Sequence, residues 1–474
     1  MTSYPIEFPK SSAPGSRPAL GKGRLINAYA TSENGVQVWK RVPGLLRYLS
    51  QDIGKIRGFY WFENTRQLMV VAGNKVGFYP GSGDIDWRAG TIEGDGPVCI
   101  SINNNAETDI VITTNSQYTY VVKASGVEQY PDGNVGVPNS VCFLDAFFCF
   151  TYPDGTIRAS NVNSTEIPGL SATKAQTSPD GLLRGVASRR FFYAMGSSTI
   201  EIYQNVGNID FPFQRVYVLE TGVYGPWCVA GASVEGWDHS MFFVASDGTV
   251  RALEDYQTAI ISTEDVTRSI LSIKQKEDIH CFVYMFEDNP MFVITSPKFT
   301  WEFNVKTKQW NERKSYYGGL GDNWRSDYSI AAFNKWLVAD KDTGTLYEID
   351  GDSQTENGQP LVYILESSSM TGFPQKIACR RADFDFVVGY GSERGFDPIE
   401  IDPTVTISWS LDGGVSYRVP IERKLGREGR YSNLVSILGL GLSGPQGWRF
   451  RIQISDPREC SLKGAFMNSE ARLV

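Results

Sequence analysis

The sequence predicts an all-β protein whose main body is a β-propeller of about seven blades, with an additional small C-terminal β domain. Glycine accounts for 47 of the 474 residues, above the usual share of about 7%. Aromatic residues make up 13% of the chain, and such a composition is typical of turn-rich β proteins. The long helical patterns that a Rossmann or TIM-barrel fold requires are missing.

A recurring hairpin is the main evidence for the propeller. Seven pairs of β-branched or aromatic runs are each joined by a turn of Asn, Asp, Gly, Ser, Lys or Pro residues. The turns lie near positions 74, 115, 154, 197, 247, 297 and 343, so they are 39 to 50 residues apart. This period indicates one blade per hairpin. A miscounted hairpin would give six or eight blades, and the alternative fold is a β-sandwich with irregular meanders.

The sequence divides into three regions. Residues 1–49 are interpreted as an N-terminal arm and lead-in strand, in which the Pro- and Ser-rich stretch 1–24 is expected to be a disordered tail rather than a docking arm. Residues 50–355 are expected to form the propeller, with small apolar inner strands and outer strands that carry Tyr, Trp and charge. A polar linker at 352–359 leads to the C-terminal β domain, 356–474. Its expected strands are 361–365, 382–388, 405–410, 415–419 and 448–454.

Charge and cysteine content exclude several classes of protein. The chain has 45 Lys and Arg against 53 Asp and Glu, a net charge of −8, which argues against nucleic-acid binding through phosphate neutralisation. Its seven cysteines are odd in number and form no CxxC motif, which indicates reduced thiols and a cytoplasmic type of compartment. No secretion signal and no run of 18 apolar residues is found, so we expect a soluble chain that does not insert into a membrane.

Three residue patterns do not meet the requirements of the binding or catalytic sites that they partly match. Gly439, Gly441 and Gly444 match GxGxxG, but no helix follows to hold a pyrophosphate, so we interpret them as a glycine-rich turn. Asp340 and Asp342 faintly resemble a calcium loop, but lack its spacing and flanking helices, so we interpret them as a hairpin turn. The two histidines, His239 and His280, nearly exclude a catalytic triad or a multi-histidine metal site.

Two further features are interpreted as structural. The stretch from Ser410 through Asp412 to Tyr417 resembles the Asp-box of sialidase-type propellers, a structural hairpin in that family. The short basic clusters at 189–190, 380–381 and 423–430 are expected to be solvated or to face another subunit. We therefore predict no catalytic, cofactor-binding or metal-binding residue, no cofactor, and no enzymatic activity.

Three stretches, ordered along nearly the full length, resemble a known family. They are the segments 25–31 and 42–45, the segment 178–185 with Gly196–Glu201 after it, and the segment 407–417 with the strand 448–454. On these residues the chain resembles the packaged-DNA stabilisation proteins of short-tailed bacteriophages, also called tail accessory factors, tail hubs or nozzles. The N-terminal arm and several turn lengths depart from the family pattern, which leaves the docking partner of the arm open.

The resemblance implies a structural virion protein. It implies a homo-hexameric tail ring below the head–tail adaptor, assembled in the host cytoplasm, that seals and lines the DNA channel until genome ejection. The ring would retain the packaged genome, carry a tail needle or plug, and border tailspikes or fibres. Double-stranded DNA would pass through its lumen without sequence-specific binding. The alternative function is a carbohydrate-binding or sialidase-like glycosidase propeller.

Overall fold

The computed structural model describes residues 2–49, 53–114, 116–175, 180–389, 398–431 and 433–472. Almost all of its regular structure is β-strand. The α-helices in this part of the chain are Glu264–Leu271 and Pro398–Ile401, and short 3-10 turns lie at Pro18–Leu20, Gly133–Val135 and Lys276–Asp278. None of these helices is long and apolar enough to cross a membrane.

Seven four-stranded antiparallel blades confirm the predicted propeller and its seven-hairpin count. Within each blade, neighbouring strands in the order given are hydrogen-bonded. The first blade comprises Ile56–Phe62, Gln67–Ala72, Lys75–Tyr79 and Asp86–Trp87; the second Val98–Ile102, Ile110–Thr114, Thr119–Lys123 and Gly126–Gln129; the third Ser140–Leu144, Phe147–Thr151, Thr156–Ala159 and Ala172–Lys174; the fourth Leu182–Ser188, Phe191–Gly196, Ile200–Asn205 and Phe213–Leu219; the fifth Val229–Ala230, Met241–Val244, Val250–Glu254 and Gln257–Ile260; the sixth His280–Phe286, Asn289–Ser296, Phe299–Asn304 and Gln309–Glu312; the seventh Ser326–Ala332, Lys335–Asp340, Leu346–Asp350 and Gly44–Arg47. The predicted turn residue Asn115 lies outside the described residues.

The seventh blade joins the two ends of the propeller. Its fourth strand, Gly44–Arg47, comes from the N-terminal region and pairs antiparallel with Leu346–Asp350, so that Leu45 lies opposite Ile349. Thr355–Glu356 then pairs with the other edge of Gly44–Arg47. The prediction of a simple polar linker at 352–359 is therefore wrong, because Glu356 is fully buried beside the closing strand.

A separate sheet and an extension of the sheet of the sixth blade form the C-terminal β domain around a shared apolar core. The first sheet runs in the order Ala28–Glu33, Val36–Arg41, Ser461–Arg472, Lys376–Val387 and Val435–Leu442, and Thr2–Pro5 also pairs with Ser461–Arg472. The second continues the sheet of the sixth blade in the order Arg24–Ile26, Tyr363–Glu366, Arg449–Ile454, Thr404–Ser410 and Ile421–Lys424. Gln359–Pro360 pairs with Thr355–Glu356.

One strand predicted in this domain is wrong. Residues 415–419 are irregular, and Val415 and Val419 are 66% and 84% exposed. The strand that pairs with Thr404–Ser410 is instead Ile421–Lys424, which begins after Pro420. The alternating apolar residues at 415–419 face no core, so their pattern has no burial to stabilise a strand.

The prediction of a disordered tail at 1–24 is also wrong. Ile6 and Phe8 are buried in the core of the C-terminal domain. The buried Arg449 guanidinium donates hydrogen bonds to the carbonyls of Pro18 at 2.6 Å, Gly21 at 3.1 Å and Ser367 at 2.7 Å. The N-terminal region thus supplies strands to both the C-terminal sheets and the seventh blade, while the division at residues 49 and 355 stays a prediction.

The inner strands also differ from expectation. The first strand of each blade lies at the propeller axis, where first strands of successive blades pack side by side. Instead of only small apolar residues they carry Arg57, Arg184, His280, Asp327 and Tyr328. The outer strands of the first, second, third and fifth blades are only two to four residues long. Large side chains at the axis fill space that seven converging strands leave open.

Candidate functional site

Two cavities at the propeller axis are the candidate binding sites, because ligands bind preferentially in concave pockets. The first cavity, of about 250 Å³, is lined by first strands of all blades except the third and includes Phe59, Trp227 and His280. The second, of about 430 Å³, is lined by first strands of the first four blades and includes Cys142. These volumes are those of small-molecule pockets.

Aromatic and charged groups line the axis. The Arg184 guanidinium lies 4.9 Å from the ring centre of Trp227 and donates a hydrogen bond to the Pro226 carbonyl at 3.2 Å. The ring of His280 lies 6.4 Å from that of Trp227 and 5.7 Å from that of Tyr328. Such contacts hold the side chains in fixed positions. They give the axis a packed, aromatic lining.

Burial shifts the titration of two axial groups in directions that favour their neutral forms. Burial, reinforced by the charges of Lys55 and Arg184, lowers the pKa of His280 to about 4. Burial also raises the pKa of Asp327 to about 7, against the opposing effect of Lys55 and Lys341. The Oδ1 atom of Asp327 is buried without a hydrogen-bond partner among the described residues. Perturbed groups of this kind occur at functional sites and in structural cores alike.

We expect the Asp327→Asn variant to be more stable than the wild type at pH 8 by at least ~1 kcal/mol. With a folded pKa of about 7, Asp327 contributes stability that is fully present below its unfolded pKa. That contribution is lost as the pH rises through about 7. The advantage of the variant should therefore disappear near pH 4. Urea unfolding at several pH values measures it.

The exposed Asp210→Asn variant is the matched control and should reproduce the wild-type pH dependence. An Asp327→Asn curve parallel to that of the wild type from pH 4 to 8 would contradict the assignment. His280 acts in the opposite direction, since its lowered pKa removes stability as the pH falls from about 6.5 towards 4.

A buried ionic cluster beside the closing strand was not predicted from the sequence. The Arg313 guanidinium is fully buried and donates to the Tyr284 hydroxyl at 3.0 Å, to Glu302 Oε1 at 3.2 Å and to the Pro43 carbonyl at 2.7 Å. It also lies 3.8 Å from Glu356 Oε1. The cluster joins the sixth blade to residues on both sides of the closing strand. Its one sequence signal is a carboxylate within an aromatic strand, at Glu302.

The other members of this cluster supply hydrogen bonds and a positive charge to its second carboxylate, Glu356. Glu356 accepts hydrogen bonds from the Trp324 indole at 2.9 Å and the Ser315 hydroxyl at 2.6 Å. Arg325 lies 3.5 Å from Glu356 and 3.8 Å from Asp340. Every ionic member of the cluster is buried within the protein. The cluster is therefore suited to holding the propeller together rather than to binding a ligand.

Most of the glycine motif at 439–444 lies in a strand rather than in a turn. Gly439 and Gly441 belong to the strand Val435–Leu442, which pairs with Lys376–Val387, and only Gly444 lies in the following turn. The interpretation of the whole motif as a turn is therefore wrong, although no helix follows it. Both glycines have positive φ, 71° and 102°, which lets the edge strand depart from regular geometry.

The Asp340 loop is a hairpin turn, as expected. Asp340 Oδ1 accepts hydrogen bonds from the backbone N–H groups of Asp342 at 2.9 Å and Thr343 at 3.0 Å. This carboxylate therefore organises its own turn. Within the described part of the chain, no group of three or more His, Cys, Asp or Glu residues is placed to hold a metal ion.

We expect Gly344→Ala to destabilise the propeller by about 1–3 kcal/mol more than Gly358→Ala. Both glycines have positive φ, 71° and 77°, so the conformational penalty of about 1–2 kcal/mol is shared. A Cβ atom at position 344 would lie 1.7 Å from the Gly54 carbonyl oxygen, whereas one at position 358 meets nothing within 4 Å. Chemical denaturation measures the difference, and equal losses would contradict the predicted clash.

Asp412, the residue of the Asp-box, likewise stabilises the turn in which it lies. Asp412 accepts hydrogen bonds from the Ser416 N–H at 2.9 Å and from the hydroxyls of Ser410 at 2.5 Å and Ser416 at 2.6 Å. Burial opposes ionisation of Asp412, but these hydrogen bonds outweigh it and lower its pKa to about 2. The turn precedes an irregular segment rather than the predicted strand at 415–419.

The remaining candidates lie apart from one another. His239 is exposed beside the Trp237 ring, 5.0 Å away. It lines neither of the two axial cavities, whereas His280 lines the first. Arg189 pairs with Asp255 at 3.5 Å, and Arg381 pairs with Asp383 at 2.7 Å. The predictions that no residue is catalytic, binds a cofactor or binds a metal stay predictions.

Comparison with known proteins gives the family. The family model described as "Bacteriophage P22 Gp10, beta-propeller" matches residues 27–354, more than half of the chain. No curated protein matches. Among solved structures, the crystal structure of the computationally designed Ika8 protein matches with 12% identity over 73% of this chain and 98% of its own, at a TM-score of 0.40. The chain belongs to the bacteriophage P22 Gp10 β-propeller family of phage DNA-stabilisation proteins, and it is a structural tail component of the virion.

Proposed function

We propose that the chain is a subunit of the tail hub, or nozzle, a closed ring that seals the DNA exit below the head–tail adaptor. The family match supports a stabilising role in the tail. The size of the axial cavities supports this arrangement, because volumes of about 250 and 430 Å³ are small for a DNA duplex. DNA would therefore pass through a lumen that several subunits enclose.

The two-part architecture suits such an assembly. The C-terminal sheets extend from the sixth blade, so the subunit offers two unlike surfaces, a propeller flank and a β domain. Unlike surfaces favour head-to-tail contacts, which close into a ring when the rotation between subunits permits. We propose six subunits, on the resemblance described above. The net charge of −8 suits a lumen that does not retain phosphates tightly during ejection.

The partners and the lack of catalysis are part of the same proposal. The ring would contact the adaptor above it, a needle or plug at its tip, and tailspikes or fibres at its side. It would assemble in the host cytoplasm and bind DNA without reading its sequence. The ionisable groups at the axis have structural neighbours, and we assign them no reaction.

Deletion of the gene from the phage tests the role. We expect capsids to assemble and fill with DNA and then to lose it, because the exit is unsealed. Electron microscopy and nuclease protection of the packaged genome measure the loss, and expression of the protein in trans is the control. Stable full heads that fail only to adsorb to the host would instead assign the protein to receptor binding.

A further inference from the structure

Two pairs of cysteines stand close together at the propeller axis. In the third blade, Cys142 and Cys149 lie directly opposite each other on adjacent antiparallel strands. Residues so placed have Cα atoms about 4.5–5.5 Å apart and side chains on one face of the sheet. This separation lies within the range of about 4.4–6.8 Å that a disulfide spans. The register thus places both thiols at bridging distance without moving the backbone.

The second pair lies between two blades. The backbone N–H of Cys281, on the first strand of the sixth blade, donates to the Trp227 carbonyl at 2.9 Å, next to Cys228 at the entry to the fifth blade. The Cys228 thiol lies 3.8 Å from the carbonyl oxygen of Ile279, two residues before Cys281, so the two cysteines are neighbours in space. A bond between them would link neighbouring blades across their interface. The other free cysteines are Cys99, Cys379 and Cys460.

Each pair combines one half-buried cysteine and one buried cysteine. Cys142 and Cys281 are half-buried and line the axial cavities of about 430 and 250 Å³, respectively. Cys149 is 1% exposed and Cys228 is fully buried. A small-molecule disulfide in the cavities would therefore meet the half-buried cysteine first, and the buried cysteine of the pair is placed to attack the resulting mixed disulfide. All four thiols are free in the reduced protein.

We propose that the axis carries two oxidisable dithiol sites, Cys142–Cys149 and Cys228–Cys281, which form disulfides with a small-molecule disulfide such as oxidised glutathione. The Cys142 thiolate attacks one sulfur of the oxidant, forms a mixed disulfide and releases glutathione. The Cys149 thiolate then attacks the Cys142 sulfur and releases the second glutathione. The two protein thiols lose two electrons and two protons, and the oxidant gains them. Cys281 and Cys228 react in the same order.

This chemistry suits a protein that is made in a reducing compartment and then carried in a virion. Disulfides do not persist in the cytosol but do so outside cells. The Cys228–Cys281 bond would join the fifth and sixth blades after release. Burial raises the pKa of Cys149 and of Cys281, so the reaction is expected to be slow at neutral pH and faster in alkaline solution.

Oxidation of the folded, full-length protein with glutathione disulfide at alkaline pH tests the proposal. After alkylation of free thiols and tryptic digestion without reductant, we expect the peptide 124–158 to have lost two hydrogens. We expect the peptides 216–251 and 277–298 to be joined through Cys228 and Cys281. The unfolding midpoint should rise on oxidation and return on reduction. Mass spectrometry and thermal unfolding give these readouts.

Serine variants separate the two steps. Cys149→Ser should retain glutathione on Cys142, and Cys142→Ser should leave Cys149 unmodified, because its sulfur is not exposed. Cys379→Ser, which removes a buried unpaired thiol, should form both disulfides at the wild-type rate. Folded protein whose four thiols all remain alkylatable after unfolding, or that only accumulates glutathione adducts, would overturn the proposal. These outcomes leave the tail role unaffected.

Discussion

Replacing Arg313 by methionine is expected to lower the free energy of unfolding by about 3–5 kcal/mol. Methionine fills much of the space beside the Trp324 ring, which the guanidinium approaches to 3.9 Å, but it leaves Glu302 buried without its cation and Glu356 with Arg325 alone. An uncompensated buried charge is the reason for the large effect. Chemical denaturation of the purified protein measures it.

Two further variants make this expectation specific. Arg268→Met removes a half-exposed arginine that pairs with Asp265 on a helix surface, and should change the free energy of unfolding by no more than about 0.5 kcal/mol. Adding Glu302→Gln to Arg313→Met removes the carboxylate that has lost its cation and should restore part of the loss. A single Arg313→Met variant within 1 kcal/mol of the wild type would refute the role of this cluster.

Truncation of Leu45 to alanine is expected to destabilise the protein by about 2–5 kcal/mol. Leu45 is fully buried on the closing strand, opposite Ile349 and within the core between the sixth and seventh blades. The cavity left by the missing methyl groups would loosen the contact that joins the two ends of the propeller. Denaturant titration gives the loss in stability, and hydrogen exchange of Leu346–Asp350 reports the opening of the blade.

The next residue along the same strand is a matched control. Leu46 has the same chemistry and the same backbone environment but is 42% exposed. Its truncation should therefore change the free energy of unfolding by no more than about 0.5 kcal/mol. Equal effects of Leu45→Ala and Leu46→Ala would show that Gly44–Arg47 is not held by its buried face, which contradicts the proposed closure.

Local features of the structure were predictable because their signals lie within a few residues of one another. The hairpin turn at Asp340 forms through hydrogen bonds to residues two and three positions away. The Asp412 turn is stabilised by Ser410 and Ser416, which lie two and four positions away in the sequence. Apolar runs joined by such turns repeat seven times, and this repetition was enough to predict the blades.

Predictions failed where a partner lies far away in the chain. Arg449 holds the Pro18 carbonyl across 431 positions, so the Pro- and Ser-rich N-terminus resembled a disordered tail. Glu356 looked like part of a polar linker, but its partners Trp324 and Ser315 bury it. The strand at 415–419 was predicted from alternation alone, and its apolar residues have no core to face.

The sequence alone determined the all-β class, the seven hairpins and the resemblance to a phage tail family, since composition, turn residues and short-range periodicity carry that information. Only the tertiary structure decided how the propeller closes, with Leu45 opposite Ile349, and which groups meet at the axis. His280 and Asp327 are 47 positions apart, and each lies in an ordinary strand pattern. Their pKa shifts arise mainly from burial where the first strands of several blades meet, a property of the folded chain that no local pattern contains.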